Sequence, residues 1–156
     1  PVAAVDAAPG VEPVPDGERW GVAEHTDYGL LTLLAHDGRP GLEVRGPDGW
    51  VPVEARAGAI VVNLGDMLDR MTEGRYRSTP HRVRPPTGDA DRLSFPFFFD
   101  PSWDAEVRPL PLAGDTPSDD AATRWDGTSL RDLTGTYGEY LTAKVARVFP
   151  GLAGRS

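Results

Sequence analysis

The sequence predicts a mainly β domain, a double-stranded β-helix (jelly roll), that ends in a C-terminal α-helix. Its 156 residues are enough for one domain with its own core. Gly and Pro are abundant, at 18 and 16 residues, which favours short strands joined by turns over a helix bundle. Short apolar or alternating runs follow one another as far as residue 99, and helical spacing of apolar residues dominates only near the end. Strands this short and evenly spaced are typical of a sandwich or jelly roll.

The predicted elements are separated by clear turn signals. Residues 1–17 have little periodicity and are expected to form a lead-in loop. Gly46-Pro47-Asp48-Gly49 has the composition of a turn and predicts a hairpin between the strands on either side. In chain order, the predicted strands cover residues 19–24, 30–35, 42–45, 50–53, 59–64, 81–84 and 92–99.

Two segments are predicted to be helical. Residues 66–71 are expected to form one or two turns. The acidic residues in and after this segment are expected to form a solvated face: Asp66, Asp69 and Glu73. A longer helix is predicted over residues 129–149, with Ser129 as its N-cap. Its apolar positions recur at helical spacing: Leu130, Leu133, Tyr137, Tyr140, Leu141, Val145 and Val148.

Composition argues against several classes of partner. The chain has 16 basic and 24 acidic residues, a net charge of -8, and lacks the basic stripe of a nucleic-acid-binding protein. It has no polybasic cluster and no apolar run approaching the length of a membrane span. Cysteine is absent, which excludes disulfides and thiolate ligands. We therefore expect a cytoplasmic protein with no nucleic-acid or membrane partner, and the sequence leaves its oligomeric state open.

Two histidines and an aspartate form a candidate metal site. In extended chain, His25 and Asp27 project from the same face. His81 comes from a distant predicted strand and completes a two-His, one-carboxylate set, the facial triad of non-haem Fe(II) enzymes. The predicted strands between Asp27 and His81 allow the chain to pass around the sheet and return, which places His81 next to the first two residues. His36, the remaining histidine, is expected to be a non-ligand near the pocket mouth.

A candidate carboxylate clamp follows His81. Arg92 and Ser94 are two residues apart and face the same way from a strand, where they are suited to hold the distal carboxylate of an organic acid. The same alternation places Phe98 on their face, either at the pocket floor or in the core. Tyr28, beside the candidate triad, is expected either to touch substrate or to cover the site.

Three separated motifs, in this order, resemble the isopenicillin N synthase-like family of Fe(II)/2-oxoglutarate-dependent oxygenases. The motifs are residues 25–34, residues 62–67 running on to 74–83, and residues 92–98, and the resemblance extends over about residues 15–150. It implies a jelly-roll catalytic domain with His25, Asp27 and His81 on Fe(II). It also implies that Arg92 and Ser94 bind the C5 carboxylate of the cosubstrate 2-oxoglutarate.

The reaction implied by this resemblance is an O2-dependent oxidation of a small organic molecule. Hydroxylation, desaturation and cyclisation all fit, with release of succinate and CO2. Two alternatives stay open: an iron oxidase that does not use 2-oxoglutarate, as in isopenicillin N synthase and aminocyclopropane-carboxylate oxidase, and an inactive jelly-roll fragment. The Ala-, Arg-, Gly- and Pro-rich composition favours a bacterial enzyme of secondary metabolism.

The family usually carries an N-terminal region before the point where this sequence starts. We therefore expect residues 1–156 to be a single dioxygenase domain that is a C-terminal fragment. Made alone, it is expected to show an exposed sheet edge and to be poorly stable or to aggregate.

Overall fold

The computed structural model of the protein describes residues 21–85, 91–124 and 127–148. The expected loop over residues 1–17, the first two residues of the strand expected over 19–24, and Phe149, the last residue of the expected C-terminal helix, lie outside the described residues. The strands in these residues are β1 (Val22–His25), β2 (Leu31–His36), β3 (Leu42–Gly46), β4 (Gly49–Pro52), β5 (Ile60–Leu64), β6 (His81–Val83) and β7 (Ser94–Phe99). The helices are α1 (Asp66–Met71), α2 (Tyr137–Val148) and two 3-10 helices (Ala121–Thr123 and Leu130–Asp132). No helix in this part of the chain has the length and apolarity needed to cross a membrane.

The strands form two antiparallel sheets. β1, β6, β3 and β4 lie side by side in the larger sheet, and β5, β2 and β7 form the smaller one. Apart from the β3–β4 hairpin, each strand lies in the opposite sheet from the strand before it. This alternation is the connectivity of a jelly roll, and the predicted fold class is confirmed.

The predicted strands agree with the observed ones to within a few residues. The expected hairpin is present, with Arg45 opposite Trp50 and Gly46 opposite Gly49. Gly49 has a φ of 137°, a conformation that residues with side chains rarely adopt. The last strand begins at Ser94 rather than at residue 92. Leu93 is not part of the strand because its backbone N–H and C=O are hydrogen-bonded to Asp37, in the turn after β2, and not to a neighbouring strand.

The register of the smaller sheet divides its side chains between two faces. Residues directly opposite each other on neighbouring strands point to the same face. The face that carries Thr32 is the inner one, because Thr32 is buried. Three cross-strand layers lie on this inner face: a first layer of Asn63, Thr32 and Phe98, a second of Val61, Leu34 and Pro96, and a third of His36 and Ser94.

The opposite face of the smaller sheet is apolar and exposed. We call it the outer apolar face; it consists of Leu33, Ile60, Val62, Phe95, Phe97 and Phe99. The three phenylalanines are 53–66% exposed. Large exposed apolar patches are typical of protein–protein or membrane interaction sites and of surfaces prone to aggregation.

We expect a protein made of residues 1–156 alone to self-associate through this face. Replacing Phe95 and Phe97 by threonine, which suits a strand but is polar, should increase the monomeric fraction in size-exclusion chromatography with light scattering. Val51→Thr, at an exposed apolar position on the larger sheet, is the control and should change little. A monodisperse, cooperatively melting monomer of the unmodified sequence would contradict the prediction.

The expected helix over residues 129–149 is wrong at its N-terminal end. Ser129 caps only a 3-10 turn, where its side chain accepts a hydrogen bond from a backbone N–H two residues later. Gly135 then adopts a φ of 88°, outside the right-handed helical region, and separates this turn from α2. Thr136 and Glu139 exchange side-chain-to-backbone hydrogen bonds, a capping box that starts α2. The spacing of apolar residues does not reveal such a break, because it carries no information about the backbone conformation of the glycine between them.

α1 lies in the interior of the protein. Met67 is 1% exposed and belongs to the main core cluster, which also contains Val107, Tyr137 and Tyr140. Asp66 and Asp69 are 1% and 2% exposed, so the expected solvated face is wrong for both. Glu73, beyond the end of the helix, is half-buried.

The buried carboxylates of α1 are stabilised by partners far away in the chain. Asp69 accepts a hydrogen bond from Ser78 N (2.8 Å) and forms an ion pair with Arg124 Nη2 (2.7 Å). Burial raises the pKa of Asp69, and these two donors act in the opposite direction. Asp66 forms its own set of bonds, which link α1 to α2 and to the segment between β1 and β2.

Candidate functional site

Three side chains converge at the end of β1 and the start of β6. His25 and His81 lie directly opposite each other in the larger sheet, and Asp27 follows in the turn after β1. One ligand atom from each residue lies within 4.8 Å of the other two. Asp27 Oδ1 is 3.8 Å from His25 Nε2 and 3.7 Å from His81 Nε2. Among the described residues, this is the one group of three such side chains close enough to hold a metal ion.

Backbone carbonyl groups orient both imidazole rings. His25 Nδ1 is 2.8 Å from Ala23 O, and His81 Nδ1 is 3.1 Å from Thr79 O. A carbonyl oxygen only accepts, so both Nδ1 atoms carry the hydrogen and each Nε2 keeps its lone pair in the neutral ring. Both lone pairs are therefore available on the side of Asp27. This is the usual way in which a protein fixes the tautomer of a metal-binding histidine.

The Asp27 carboxylate has two distinct oxygens. Oδ2 accepts a hydrogen bond from Asn63 Nδ2 (2.6 Å), and Oδ1 faces the two histidines. Asn63 Nδ2 also lies 3.4 Å from His81 Nδ1. Because His81 Nδ1 donates to a carbonyl oxygen, it does not accept a hydrogen bond from Asn63. The hydrogen bond that Asn63 Nδ2 donates is therefore the one to Asp27. Asn63 thus leaves one carboxylate oxygen for a metal.

The surroundings of His81 favour its neutral form. Burial lowers the pKa of His81 below its ordinary value, and the neighbouring His25 lowers it further, while Asp27 raises it. A neutral imidazole is the form that binds a metal ion. The His25 side chain is 36% exposed and the Asp27 side chain 8%, so the group is open on the side of His25.

The turn that carries Asp27 rests on the first turn of α1. Asp66 N donates to Asp27 O (2.7 Å), and Gly65 N donates to Leu30 O (3.0 Å). A Cβ at Gly65 would lie 2.2 Å from Gly29 O, so no side chain fits there without moving the turn. Thr26 Oγ1 donates to Asp66 Oδ2 (3.2 Å). These contacts fix the backbone on both sides of Asp27.

Arg92 and Ser94 also come together, as the sequence predicts. Arg92 Nη1 donates to Ser94 Oγ (3.3 Å), and Arg92 Nε donates to Arg39 O (3.4 Å). Arg92 lines a shallow pocket between the sheets that is open to solvent. The other lining residues are His36, Arg39, Leu42, Val53, Glu54, Ala55 and Val61.

The inner face of the smaller sheet connects the two groups of polar residues. Asn63, bonded to Asp27, belongs to the first layer, and Ser94 belongs to the third. Between them lies the apolar second layer of Val61, Leu34 and Pro96. The first and third layers are four residues apart along β2, about 13 Å, with the apolar layer halfway between them. The inner face therefore has polar residues at both ends and apolar residues between them.

Tyr28 and Phe98 occupy different environments. Tyr28 packs edge-on against Tyr140 of α2, with ring centroids 6.4 Å apart, and contacts the core cluster. Phe98 lies in the first layer opposite Thr32 and is 55% exposed, so it is not a core residue here. A contact of either ring with substrate stays a prediction.

The contact between Asn63 and Asp27 at this site is not predicted from the sequence. From sequence Asn63 is expected at a strand end, and a structural role is the simpler interpretation. The available signal is its position in the 62–67 motif, one of the three that carry the family resemblance. Its distance from Asp27 along the chain, 36 residues, hides the contact until the sheets are assembled.

The chain is similar to known proteins in sequence and in fold. The family model of the 2OG-Fe(II) oxygenase superfamily matches residues 6–101. A probable iron/ascorbate oxidoreductase of Dictyostelium discoideum is 46% identical over 140 residues, which are 88% of this chain and 38% of that protein. The 1-aminocyclopropane-1-carboxylate oxidase of the same organism is 40% identical over 139 residues, which are 87% of this chain and 38% of that protein. A full-length protein of Neurospora crassa, solved in complex with alpha-KG, has a TM-score of 0.65 and 31% identity, covering 84% of this chain and 39% of that one. The chain therefore spans about two fifths of the length of these proteins.

Proposed function

Because the chain belongs to the 2OG-Fe(II) oxygenase superfamily, we propose that it carries the active site of an oxidoreductase that uses Fe(II), O2 and 2-oxoglutarate. The reaction oxidises a small organic molecule by hydroxylation, desaturation or cyclisation and releases succinate and CO2. The observation that carries the proposal is the convergence of His25, Asp27 and His81, with both Nε2 atoms less than 4 Å from Asp27 Oδ1.

The donor set fits Fe(II). Two imidazole nitrogens and one carboxylate oxygen suit this ion, and three protein ligands leave its other positions open. In the proposed site, His25, Asp27 and His81 hold the metal, and Asn63 keeps Asp27 turned so that one oxygen faces it. When bound, iron supplies the activation of O2 for oxidation of the substrate.

The clamp formed by Arg92 and Ser94 fits the distal carboxylate of 2-oxoglutarate. The Arg92 guanidinium offers a planar fork for two carboxylate oxygens, and Ser94 Oγ lies beside it. Leu34 and Val61, in the second layer, face the position of the methylene groups. In the proposed site, the inner face of the smaller sheet runs from the clamp to Asn63 beside the triad, and the cosubstrate lies along it with its keto-acid end towards the triad.

We expect Arg92→Ala to weaken 2-oxoglutarate binding by about 100-fold, because two charge-assisted hydrogen bonds are lost. Iron affinity should not change. The measurement is an anaerobic titration of the Fe(II)-loaded full-length gene product with 2-oxoglutarate, followed by its visible charge-transfer band. Arg45→Ala, which removes an exposed arginine stacked on Trp50, is the matched control. An unchanged Kd in Arg92→Ala would exclude Arg92 from the binding site.

A second candidate function is an iron oxidase that does not consume 2-oxoglutarate. Its support is the 40% identity to the 1-aminocyclopropane-1-carboxylate oxidase of Dictyostelium discoideum. Arg92 and Ser94 do not distinguish the two, because both branches of the family resemblance retain this pair. An inactive protein is disfavoured by the intact geometry of the three candidate ligands.

Succinate formation distinguishes these functions. The full-length gene product is incubated with Fe(II), O2 and 2-oxoglutarate, and succinate is quantified against a sample without iron. Iron-dependent succinate supports the main proposal. Iron binding without succinate and without the charge-transfer band supports the second. A protein that binds no iron would overturn both.

A further inference from the structure

The turn after β2 is hydrogen-bonded to the residue just before β7. Asp37 N donates to Leu93 O (3.1 Å), and Leu93 N donates to Asp37 Oδ2 (2.8 Å). Asp37 Oδ1 accepts from Arg39 N (3.0 Å), whose carbonyl oxygen accepts from Arg92 Nε. The Leu93 N–H lowers the pKa of Asp37, so this carboxylate is ionised at neutral pH. The end of β2, which is His36, is thereby held in fixed register beside Arg92.

His36 faces the same pocket as the carboxylate clamp. It lies directly opposite Ser94 in the third layer, where opposed Cβ atoms are about 4.5–5.5 Å apart. It lines the pocket together with Arg92. Gly38 N donates to His36 Nδ1 (3.0 Å), so Nδ1 is the acceptor and Nε2 carries the hydrogen in the neutral ring. No residue in the described ranges accepts a hydrogen bond from this Nε2.

We propose that His36 is a third residue that binds the distal carboxylate of the cosubstrate, donating Nε2–H beside Arg92 and Ser94. The inference rests on the proposed function. A carboxylate has about four acceptor sites, of which the guanidinium fork and one hydroxyl fill up to three, so an additional donor is accommodated. His36 thereby favours a 2-oxo acid that ends in a second carboxylate over one that ends in a methyl group.

The other charged residues of the pocket are already paired within the protein. Glu54 forms an ion pair with Arg56 (2.8 Å), and both side chains are more than 70% exposed. Arg39 lies 3.5 Å from the Asp37 carboxylate. His36 is therefore the polar lining residue, besides Arg92, that combines a fixed backbone with a donor left for a ligand.

Two substitutions separate the two nitrogens of His36. Asparagine reproduces an acceptor near Nδ1, which keeps the bond from Gly38 N, but has no donor at the position of Nε2. Glutamine places an amide N–H close to the position of Nε2. The Fe(II)-loaded full-length gene product and each variant are titrated anaerobically with 2-oxoglutarate, and with 2-oxopentanoate, which has the same chain length and ends in a methyl group.

His36→Asn should raise the Kd for 2-oxoglutarate about ten-fold and leave the Kd for 2-oxopentanoate unchanged, whereas His36→Gln should bind both like wild type. Equal weakening of both ligands in His36→Asn would show a structural role and overturn the inference. An unchanged Kd for 2-oxoglutarate would overturn it as well. The proposed function fails separately, by the absence of any charge-transfer band in the wild-type protein.

Discussion

Replacing His81 by alanine is expected to abolish tight Fe(II) binding and the charge-transfer band that 2-oxoglutarate produces in the wild-type protein. His81 supplies one of three candidate ligands, and its Nε2 lies 3.7 Å from Asp27 Oδ1. Loss even of a residue that only orients a ligand costs about 10–100-fold in metal affinity, so loss of a ligand should cost more than about 100-fold. The measurements are the Kd for Fe(II), by anaerobic titration, and the intensity of the band.

A matched control is available because the chain has three histidines. His36 is outside the triad, and His36→Ala should retain the wild-type Kd for Fe(II). Circular dichroism of both variants shows whether the fold is kept, which separates ligand loss from unfolding. A His81→Ala protein that binds iron as tightly as wild type would remove the basis of the proposed metal site.

Asp66→Ala is expected to lower the free energy of unfolding by about 3–5 kcal/mol, because it removes a buried carboxylate that several buried groups share as a partner. Asp66 is 1% exposed and accepts hydrogen bonds from Ser78 Oγ (2.6 Å) and Tyr140 OH (2.6 Å). Lys144 Nζ lies 3.8 Å from the same carboxylate. The substitution removes the acceptor that three buried hydroxyls share, those of Thr26, Ser78 and Tyr140, and the carboxylate near the Lys144 ammonium.

The same substitution should also weaken iron binding. Thr26 lies between the candidate metal ligands His25 and Asp27 in the chain and donates a hydrogen bond to Asp66 Oδ2. The substitution removes this hydrogen bond, which helps to fix the segment that carries both ligands. Urea unfolding of the full-length gene product gives the change in stability. Asp48→Ala, in the exposed hairpin turn, is the control and should lie within about 0.5 kcal/mol of wild type. An Asp66→Ala protein that unfolds like the Asp48→Ala control would contradict the prediction.

The strands could be predicted because they depend on local patterns, whereas the set of candidate metal ligands was predicted from residue spacing together with the family resemblance. Period-2 alternation and turn residues place β2, the hairpin and β5 to within a few residues. The same alternation puts Arg92 and Ser94 side by side, and the structure shows them hydrogen-bonded. His25 and His81 required only that the chain return to the same sheet, and they lie opposite each other in it.

By itself, then, the sequence determined the β architecture and the side chains that gather at the candidate metal site. The tertiary structure decided which carboxylates are buried and which groups orient the ligands. Asp66 is expected from sequence on the surface of a short helix, and it is buried because Tyr140, 74 residues later, covers and bonds to it. Asn63 is expected at a strand end, and it holds Asp27 across 36 residues. Local geometry repeats every few residues and is visible in the sequence, whereas burial and hydrogen-bond partners depend on distant segments that meet only when the two sheets pack.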